Sequence, residues 1–431
     1  MFILCHGIAW GHAGAQIDSI DINGPFADKR VGLETTVGYL RGNIDGQFSW
    51  FCHEAVTQAD ALITPRYVEN ADGVLLATIG DTAQARDTNE SLYRSTDGCN
   101  WNAPEGLTGQ QIAAAAFETG NPNHALAITA NEDGHNRLYQ STDAGLTWAP
   151  TDLIVENRTF RSVRFGTGST HSVWLSAVRH ETDQAWIYHS TDSGASWAEH
   201  EIDVLPADGL DVYVDVIIAD HTNPNRAWVV MGPYLDDQLL ETTDGGHSFV
   251  EVYAPDGDII DGAQDGSGAL WLVTTGNKVI VSETGDFFER RTAAPLSLGV
   301  TASGSDIFLA NRIPSEGHAL SVSGDGIEFL PIDVFGSLNG PPECTPDSHS
   351  TAHCEPIWPD LDAMIVDEPD TGSPSSDAPH GPGEEAITAQ GCCSDQHKQS
   401  NAGLLVFLLF GLQRRKHNFG VHCGMVVTWR W

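Results

Sequence analysis

The chain has 431 residues, 41% of them hydrophobic and 12 of them tryptophan, so most of it can bury a sizeable core. Acidic residues outnumber basic ones by 59 to 21, which gives a formal net charge of -38 and excludes nucleic acid as a partner, because such a surface repels phosphate. The charge suits a saline habitat, where hydrated carboxylates keep a surface soluble, and calcium binding by some carboxylates is the alternative.

The N-terminus combines a short apolar run with the pattern Ala13-Gly14-Ala15. An apolar run followed by an A-x-A pattern is typical of a cleaved secretory leader, although the basic start of such a leader is missing. We therefore expect residues 1–15 to be a signal peptide whose basic N-terminal part is missing. The alternative is an ordinary first strand.

One short pattern then recurs along the chain at intervals of roughly 40 to 50 residues, the size of a four-stranded propeller blade. The copies are NIDGQFSW (43–50), STDGCNW (95–101), STDAGLTW (141–148), STDSGASW (190–197), TTDGGHSF (242–249), VSETGDFF (281–288) and VSGDGIEF (322–329). Each copy follows runs of strand composition that Gly, Asn or Pro separates. The repeat predicts an all-β, seven-bladed propeller of four-stranded blades over residues 17–333.

Each blade is predicted to begin with an inner strand near the propeller axis. In chain order the inner strands are IDSIDIN (17–23), TPRYVE (64–69), IAAAAFE (112–118), FRSVRFG (160–166), DVYVDVIIA (211–219), DIIDGAQ (258–264) and LGVTASG (298–304). In blade 3 the other strands follow as NPNHALAITA, RLYQSTDAGLTW and WAPTDL.

The recurring turn has a structural explanation that needs no substrate. Its Asp can accept hydrogen bonds from the backbone of the tight hairpin between the third and fourth strands. Its Gly adopts a conformation that a side chain forbids, and its Trp or Phe packs between blades. We interpret the following residues as structural rather than catalytic: Asp45, Asp97, Asp143, Asp192, Asp244, Trp50, Trp101, Trp148, Trp197 and Phe249.

The pattern Ser-x-Asp-x-Gly-x-Thr-Trp resembles the Asp-box, or BNR repeat, of sialidases and sortilin-type propellers. The resemblance covers roughly residues 17–333 and implies the propeller architecture. In those families the boxes lie at the blade periphery, away from the ligand face. Because many unrelated activities share the architecture, the resemblance does not fix a function.

A sialidase-like activity would need three kinds of residue on inner strands: arginines that bind the substrate carboxylate, a Tyr nucleophile and a carboxyl acid/base. The candidates for these roles are Arg66, Arg164, Tyr213 and Asp215. The Phe-Arg-Ile-Pro motif of sialidases is absent before the first turn, and the similar NRIP at residues 311–314 lies in the last blade.

The alternative explanation of the same charged residues is structural: they form an ion-pair network between blades. Strand alternation places Asp211, Tyr213 and Asp215 on one face of the fifth inner strand. A buried charge must be paired or functional. The neighbouring blade 4 supplies Arg161 and Arg164 as partners. We favour the network over catalysis.

We expect no cofactor and no dedicated metal site, with calcium as the open alternative. The segment PDGDIIDGAQDGSG carries Asp256, Asp258, Asp261 and Asp265 near glycines, and closely spaced oxygen ligands can hold calcium. The segment does not match an EF-hand loop, and we favour a solvated acidic turn.

The eight cysteines include no CxxC pair, so zinc-finger and thioredoxin-like interpretations have no support. Cys344 and Cys354 are close together in a Pro-rich loop and predict a local disulfide in an exported protein. For Cys52 and Cys99, a second bridge between neighbouring repeats and two buried free thiols both stay open.

After the last blade, residues 334–366 predict a Cys-containing loop and a short helix with Trp358, Leu361 and Met364 that packs on the propeller. Residues 367–390 are rich in Pro, Ser, Gly and acids, cannot bury enough apolar surface to fold, and predict a disordered linker.

The C-terminal region begins with a Gly-Cys-Cys sequence, continues with an apolar run over 402–412 and ends with a basic cluster. This layout resembles the myxobacterial-type C-terminal sorting signal over residues 391–417. The resemblance implies processing near Cys392 or Cys393, membrane attachment through this segment, and a stop at Arg414 and Arg415. The apolar run is short for a membrane span, and the tail at 418–431 is atypical; the alternative is an amphipathic tail.

We therefore predict an exported monomer, anchored C-terminally at the cell surface or outer membrane. Its propeller is expected to bind a glycan or protein ligand on one face without catalysis. The alternatives are a sialidase-like glycoside hydrolase and an assembly factor for another exported protein.

Overall fold

A computed structural model describes most of residues 17–366 and no residue outside that range. The gaps within it are 59–62, 81–84, 86–88, 132–133, 168–169, 180–183, 203–211, 234–236 and 286. The predicted leader, linker, sorting segment and tail lie outside the described residues, as does Asp211. In the described part of the chain, no helix is long and apolar enough to cross a bilayer.

Within the described residues the strands form seven antiparallel sheets, and consecutive strands pair in chain order. Blade 1 is β1 Ser19–Asn23, β2 Arg30–Thr35, β3 Gly38–Asn43 and β4 Phe48–Phe51; blade 2 is β5 Arg66–Glu69, β6 Leu75–Thr78 and β7 Leu92–Ser95; blade 3 is β8 Ile112–Glu118, β9 Asn121–Thr129, β10 His135–Ser141 and β11 Ala149–Glu156; blade 4 is β12 Thr159–Phe165, β13 Val173–Arg179, β14 Gln184–Ser190 and β15 Ala198–Ile202. Blade 5 is β16 Val212–Ala219, β17 Ala227–Pro233, β18 Gln238–Thr242 and β19 Val250–Tyr253; blade 6 is β20 Ile259–Gln264, β21 Leu270–Thr274, β22 Lys278–Ser282 and β23 Glu289–Arg290; blade 7 is β24 Ser297–Ser303, β25 Asp306–Asn311, β26 Leu320–Ser323 and β27 Leu330–Ile332.

Four short helices accompany the described strands. They are α1 His53–Thr57 between blades 1 and 2, α2 Ile313–Glu316 within blade 7, α3 His349–His353 and α4 Trp358–Val366. In blade 2 the fourth strand is reduced to a single bridge between Arg94 and Asn102.

The seven sheets close into a ring, which confirms the predicted seven-bladed propeller. First strands of successive blades contact one another from β5 to β24, and β24 contacts β1. Among the described strands, no sheet mixes strands of the first and the last blade. Side chains join blade 7 to blade 1 instead: Ser19 Oγ donates to the Ala319 carbonyl at 2.9 Å, and Thr301 Oγ1 donates to the Gly24 carbonyl at 3.2 Å.

The middle strands are largely buried because neighbouring blades cover both faces of each sheet. Every residue of β6 and of β21 is buried, as the continuous apolar runs in their sequences indicate. Most fourth strands are more exposed to solvent than the middle strands, and β19 has no buried residue. The core therefore consists of layers between blades, with large side chains such as Trp174 and Trp228 fully enclosed.

In most blades the repeated turn closes the hairpin through its own side chains. In blade 3, Asp143 Oδ1 accepts hydrogen bonds from the Leu146 and Thr147 amides, and Thr147 Oγ1 donates to Oδ2 at 2.6 Å. Gly145 has a φ of 78°, which favours glycine, and Trp148 Nε1 donates to its carbonyl at 3.0 Å. Trp148 is buried against residues of blade 2, including Leu76.

The turn is not used identically in every blade. Asp192 and Asp244 repeat the contacts of Asp143, each accepting from the amide and hydroxyl of a serine four residues later. Asp97 closes a turn that is one residue shorter, accepting from the Cys99 amide. Asp45 differs, because its carboxylate pairs with Lys29 Nζ at 2.7 Å rather than with its own turn.

The predicted local bridge between Cys344 and Cys354 is wrong. Cys354 pairs with Cys52 of blade 1, and Cys344 pairs with Cys99 of blade 2. Both alternatives for Cys52 and Cys99, a bridge between them and two free thiols, are wrong as well, because each of the two pairs with a cysteine that follows blade 7. Two disulfides indicate folding in an oxidising, extracellular environment.

The physical reason is that the chain returns to its beginning after blade 7. The segment over residues 334–366, here called the C-terminal clasp, runs parallel to β4 at Leu338. The Phe48 amide donates to the Ser337 carbonyl at 3.0 Å, and the Trp50 amide donates to the Gly340 carbonyl at 2.8 Å. The α4 helix then packs on the same blade, where the rings of Trp50 and Trp358 lie 5.5 Å apart.

Candidate functional site

Charged side chains of the inner strands, together with Glu34 of β2, form an axial cluster near the propeller axis. Its members are Asp21, Glu34, Arg66, Arg161, Arg164, Asp215 and Asp261. Asp261 of blade 6 interacts electrostatically with Asp21 of blade 1 and with Arg164 of blade 4. Because blades 1 and 4 are not next to blade 6, these charges lie around the axis rather than along one seam.

The contacts of the axial cluster mainly join neighbouring blades. Arg66 Nη1 donates to Glu34 Oε2 at 3.3 Å, and Arg164 Nε donates to the Val216 carbonyl at 3.3 Å. Arg161 Nη2 lies 3.9 Å from Asp215 Oδ2. These contacts link blade 1 to blade 2 and blade 4 to blade 5.

Burial dominates the protonation of these acids. It raises the pKa of Glu34 to about 7, although Arg66 opposes the shift. It also raises the pKa of Asp261 to about 7, with a further increase from Asp21 and an opposing effect of Arg164. The pKa of Asp215 is raised by burial as well, despite Arg161 and Arg164.

The predicted nucleophile Tyr213 is held at the seam between blades 5 and 6. Its hydroxyl donates to Asp237 Oδ1, and Asp237 Oδ2 accepts from the Ile259 amide at 2.7 Å. Burial and the carboxylate of Asp237 both raise the pKa of Tyr213. The structure thus brings Arg164 and Asp215 together, whereas Tyr213 has a different partner.

The aspartates of the suggested calcium segment diverge. Asp261 Oδ2 accepts from the Val300 amide of blade 7 at 2.8 Å, whereas Asp265 accepts from Ser267 and from Trp271 Nε1 within its own blade. Among the residues that the structure describes, no group of three or more His, Cys, Asp or Glu side chains is arranged to hold a metal ion.

A cleft of about 560 Å³ opens between blades 3 and 4. Strands alternate in direction, so turns between first and second strands lie on the same disc face as the repeated turns between third and fourth strands. The cleft is lined by both kinds of turn. From blade 3 come residues 118–121, 123 and 124 at the junction of β8 and β9, and Thr142 of the repeated turn; from blade 4 come His171 before β13 and Ser193 of the repeated turn. None of the four sequence-predicted catalytic candidates lines it.

Glu118, only 7% exposed, organises the floor of this cleft. Its Oε1 accepts from Ser193 Oγ and lies 3.1 Å from His171 Nδ1, while its Oε2 lies 2.8 Å from His124 Nδ1. A carboxylate can only accept, so both imidazoles donate through Nδ1. His124 Nε2 then accepts from Gln140 Nε2 at 2.7 Å. The floor is therefore a fixed network that joins blade 3 to blade 4.

The network also sets the charge of the floor. Burial alone would raise the pKa of Glu118, but hydrogen bonds from Ser193, His171 and His124 outweigh it and hold the pKa below its ordinary value. Glu118 is consequently ionised at neutral pH.

The rim of the cleft offers hydrogen-bonding groups that the fold does not use. Thr119, Asn123 and Thr142 are exposed, and their side chains make no hydrogen bond within the described part of the chain. The side chain of His171 is 67% exposed, and its Nε2 is available to accept a hydrogen bond from a ligand while Nδ1 donates to Glu118. A rigid polar floor below open donors and acceptors is an arrangement suited to binding.

No protein-family model matches the chain, and no curated protein matches it. Solved structures resemble its fold. They include an ancestral GH74 enzyme (17% identity, TM-score 0.42, 58% of this chain and 34% of that chain), the Dos1 propeller (9%, 0.45, 74% and 84%) and a prolyl endopeptidase (11%, 0.49, 74% and 49%). The chain spans about a third of the GH74 enzyme. At these identities and scores the likeness concerns the fold and carries no argument about function.

The cleft was missed at the sequence level because its residues come from turns far apart in the chain. A blade-by-blade comparison of the turn after the inner strand would have singled out Glu118. Asn70, Asp220 and Asp265 occupy that turn in blades 2, 5 and 6, and each accepts an amide of its own turn. Glu118 instead reaches side chains of blade 4.

The geometry of the floor does not form a nucleophile relay. Ser193 Oγ and His171 Nδ1 both donate to the same oxygen of Glu118, so the imidazole has no lone pair facing the hydroxyl. A serine nucleophile needs a base that accepts its proton. The network fixes the shape of the cleft and supports binding.

Proposed function

We propose that this chain is an exported, non-catalytic propeller that binds a glycan in the cleft between blades 3 and 4. The observation that carries the proposal is the cleft itself, a fixed polar floor around Glu118 below the free side chains of Thr119, Asn123 and Thr142. Hydroxyl-rich ligands exchange hydrogen bonds with such side chains, and a rigid floor lowers the entropy lost on binding.

A glycan fits this lining better than a protein surface does. The lining contains no hydrophobic side chain larger than alanine and no Trp, Tyr or Phe. Protein interfaces are usually centred on buried aromatic or Arg anchors, which need apolar pockets. A protein ligand, or a docking role in the assembly of another exported protein, is therefore the less favoured form of the binding hypothesis.

Two observations support display outside the cell. The disulfides of the C-terminal clasp need an oxidising compartment. The residues around Cys392 and Arg414 resemble a C-terminal sorting signal, and the repeated turns resemble the Asp-boxes of exported propellers. We infer C-terminal anchoring at the cell surface, with the propeller facing outward.

The test is a glycan-array screen with the full chain, followed by titration of the strongest ligand. We expect Thr142→Ala and Asn123→Ala to weaken binding about five- to tenfold each, because each removes a hydrogen bond to the ligand. Thr96→Ala is the matched control, since Thr96 is exposed at the same position of the repeated turn in blade 2. Equal affinities of Thr142→Ala and Thr96→Ala would contradict the site, and protein capture without glycan binding would favour the docking role.

A second candidate function is glycoside hydrolysis of the sialidase type by Arg66, Arg164, Tyr213 and Asp215. The pairing of Tyr213 with Asp237 favours it, because a carboxylate beside a phenol can take its proton, and burial raises the pKa of Asp237 to about 6. Turnover of a fluorogenic sialoside that Tyr213→Phe abolishes would establish this function; no turnover would leave the binding module.

A further inference from the structure

The cleft between blades 3 and 4 has a one-sided charge. Its lining includes the carboxylates of Glu118 and Asp192 and contains no Lys or Arg. Arg94 of blade 2 reaches the neighbouring turn, where Nε donates to the Ala144 carbonyl at 2.8 Å, but it does not line the cleft. The basic side chains within the lining are His124 and His171, and both donate Nδ1–H to Glu118, so no lysine or arginine charge offsets the two carboxylates.

Both carboxylates are fixed in place and ionised. Glu118 accepts hydrogen bonds from three side chains of the floor, His124, His171 and Ser193. Asp192 is held by the Ser196 hydroxyl, which donates at 2.6 Å, and by Ser190 Oγ at 2.7 Å; these bonds lower its pKa to about 2. Neither group has to reorganise or lose a proton when a ligand arrives, so the field in the cleft is permanent.

A permanent negative field selects among sugars by their charge. It attracts an ammonium group, is indifferent to an acetamide, and repels a carboxylate or sulfate. The lining has no Trp, Tyr or Phe on which a sugar ring could stack, so hydrogen bonds and charge are the terms that distinguish one sugar from another. The hydroxyls meet Thr119, Asn123 and Thr142 at the rim, and a cationic substituent gains from the carboxylates below.

We propose that the ligand of this cleft is a glycan of amino sugars with free ammonium groups, such as a glucosamine oligomer. The proposal rests on the proposed function and names the ligand class of the same site. Acidic glycans, including sialosides and uronates, are excluded from the cleft by the same charges.

The experiment titrates the full chain with three oligosaccharides of matched length: a glucosamine oligomer, its N-acetylated form and an oligogalacturonate. At about pH 7, where ordinary amines are mostly protonated and ordinary imidazoles mostly neutral, we expect the glucosamine oligomer to bind about tenfold more tightly than the N-acetylated form. The preference should shrink as salt is raised to about 0.5 M, because the interaction is partly exposed to screening. The oligogalacturonate should not bind.

Two variants test the residues. Glu118→Gln should remove most of the preference for the amine, and Asn123→Lys should reverse it by adding a positive charge at the exposed rim. Asn123→Lys keeps the test decisive if the buried change at Glu118 impairs folding. Glu251→Gln is the control, because Glu251 is exposed on β19 of blade 5 and lies outside the lining.

The outcomes separate this inference from the proposed function. Equal binding of the three sugars, or tightest binding of the acidic one, would overturn the amino-sugar assignment and leave a glycan-binding cleft. Absence of binding to any sugar of any charge would overturn both. A preference for the amine that Asn123→Lys reverses and Glu251→Gln leaves intact supports the assignment.

Discussion

At the scale of single residues, one methylene group distinguishes a structural turn from a candidate binding site. Asp220 and Asp265 are short enough to accept amides of their own turns. Glu118 stands in the corresponding turn of blade 3, and its longer side chain reaches His171 and Ser193 of blade 4 instead. The same position therefore closes a turn in blades 5 and 6 and forms the floor of a cleft in blade 3.

The aspartate of the repeated turn is expected to stabilise the fold through its carboxylate. In Asp192→Asn, the acceptor of the Ser196 hydroxyl is replaced by an amide donor, while the acceptor for the Ser196 amide is kept. We expect a loss on the order of 1 kcal/mol in the free energy of unfolding at neutral pH, less than is usual for a hydrogen bond to a charged group because Asp192 is exposed to solvent. Chemical denaturation of the two proteins measures the difference.

The pH dependence of this loss follows from the pKa of Asp192. The folded-state pKa is about 2, below the ordinary value of 3.8, so ionisation favours the fold. The contribution is complete above about pH 4 and is lost as the pH falls towards 2, and the two proteins should converge there. Asp45→Asn is the control: Asp45 pairs with Lys29, and no measurable change is expected. A gap that widens in acid would contradict the assigned role.

The repeated turns also show which contacts a local sequence pattern can predict. Ser-x-Asp-x-Gly was sufficient to anticipate the hydrogen bonds of Asp143, because every partner lies within four residues. The floor of the cleft was not anticipated, because His171 and Ser193 are 53 and 75 residues from Glu118. Contacts across a seam depend on how blades pack, which a local pattern does not contain.

At the scale of elements, the seams between blades combine apolar packing with a few buried charges. Glu69, at the end of β5 in blade 2, is the clearest case. Its carboxylate lies 2.8 Å from Arg30 Nε and 3.0 Å from Arg41 Nη2 of blade 1, and Tyr39 Oη donates to it at 2.8 Å. The Glu69 side chain is fully buried, so blade 1 supplies all the groups that balance its charge.

Glu69→Gln should weaken this seam strongly. The amide keeps the size of the side chain but leaves the largely buried Arg41 without its carboxylate partner and Arg30 with only the exposed Asp28 at 3.5 Å. Breaking one side of a buried ion pair typically costs about 3 to 5 kcal/mol, and we expect a loss in the lower part of that range because Arg30 and Arg41 retain some contact with water. The measurement is the shift in the denaturation midpoint.

Glu283→Gln provides the matched comparison at a surface ion pair. Glu283 lies 3.1 Å from Arg291 Nη2, but its side chain is 76% exposed, and such pairs contribute little. If both variants unfolded at the same denaturant concentration, the charges at the seam would not stabilise the contact between blades 1 and 2.

The elements themselves were largely predictable. Inner strands such as β12 and β24 follow the runs FRSVRFG and LGVTASG within one or two residues, because strand composition and the repeat agree there. The exception is the fourth strand of blade 2, where the shorter turn at Asp97 leaves only the bridge between Arg94 and Asn102. The missing residue in STDGCNW was visible in the sequence, but its effect on pairing depends on backbone geometry.

At the scale of the whole molecule, the described strands close the ring without an exchange of strands between blade 1 and blade 7. The C-terminal clasp leaves blade 7 and binds blades 1 and 2, where the Ser350 amide donates to the Cys99 carbonyl at 3.0 Å and His349 Nδ1 accepts from the Trp101 amide at 3.1 Å. This return could not be predicted from the cysteines, because four cysteines allow three pairings and sequence distance favoured the wrong one.

The two disulfides are expected to carry much of the stability of the closed ring. They join residues 302 and 245 positions apart, and cross-links over such long loops restrict the unfolded chain most, by roughly 5 to 6 kcal/mol for either bridge taken alone in the entropic account. Replacing all four cysteines by serine should lower the melting temperature by well over ten degrees, whereas replacing one pair should have a smaller effect. Cys99→Ser with Cys344→Ser and Cys52→Ser with Cys354→Ser are the two matched half-variants. A melting temperature that is the same for the oxidised protein, the reduced protein and the four-serine variant would show that blade packing alone closes the ring.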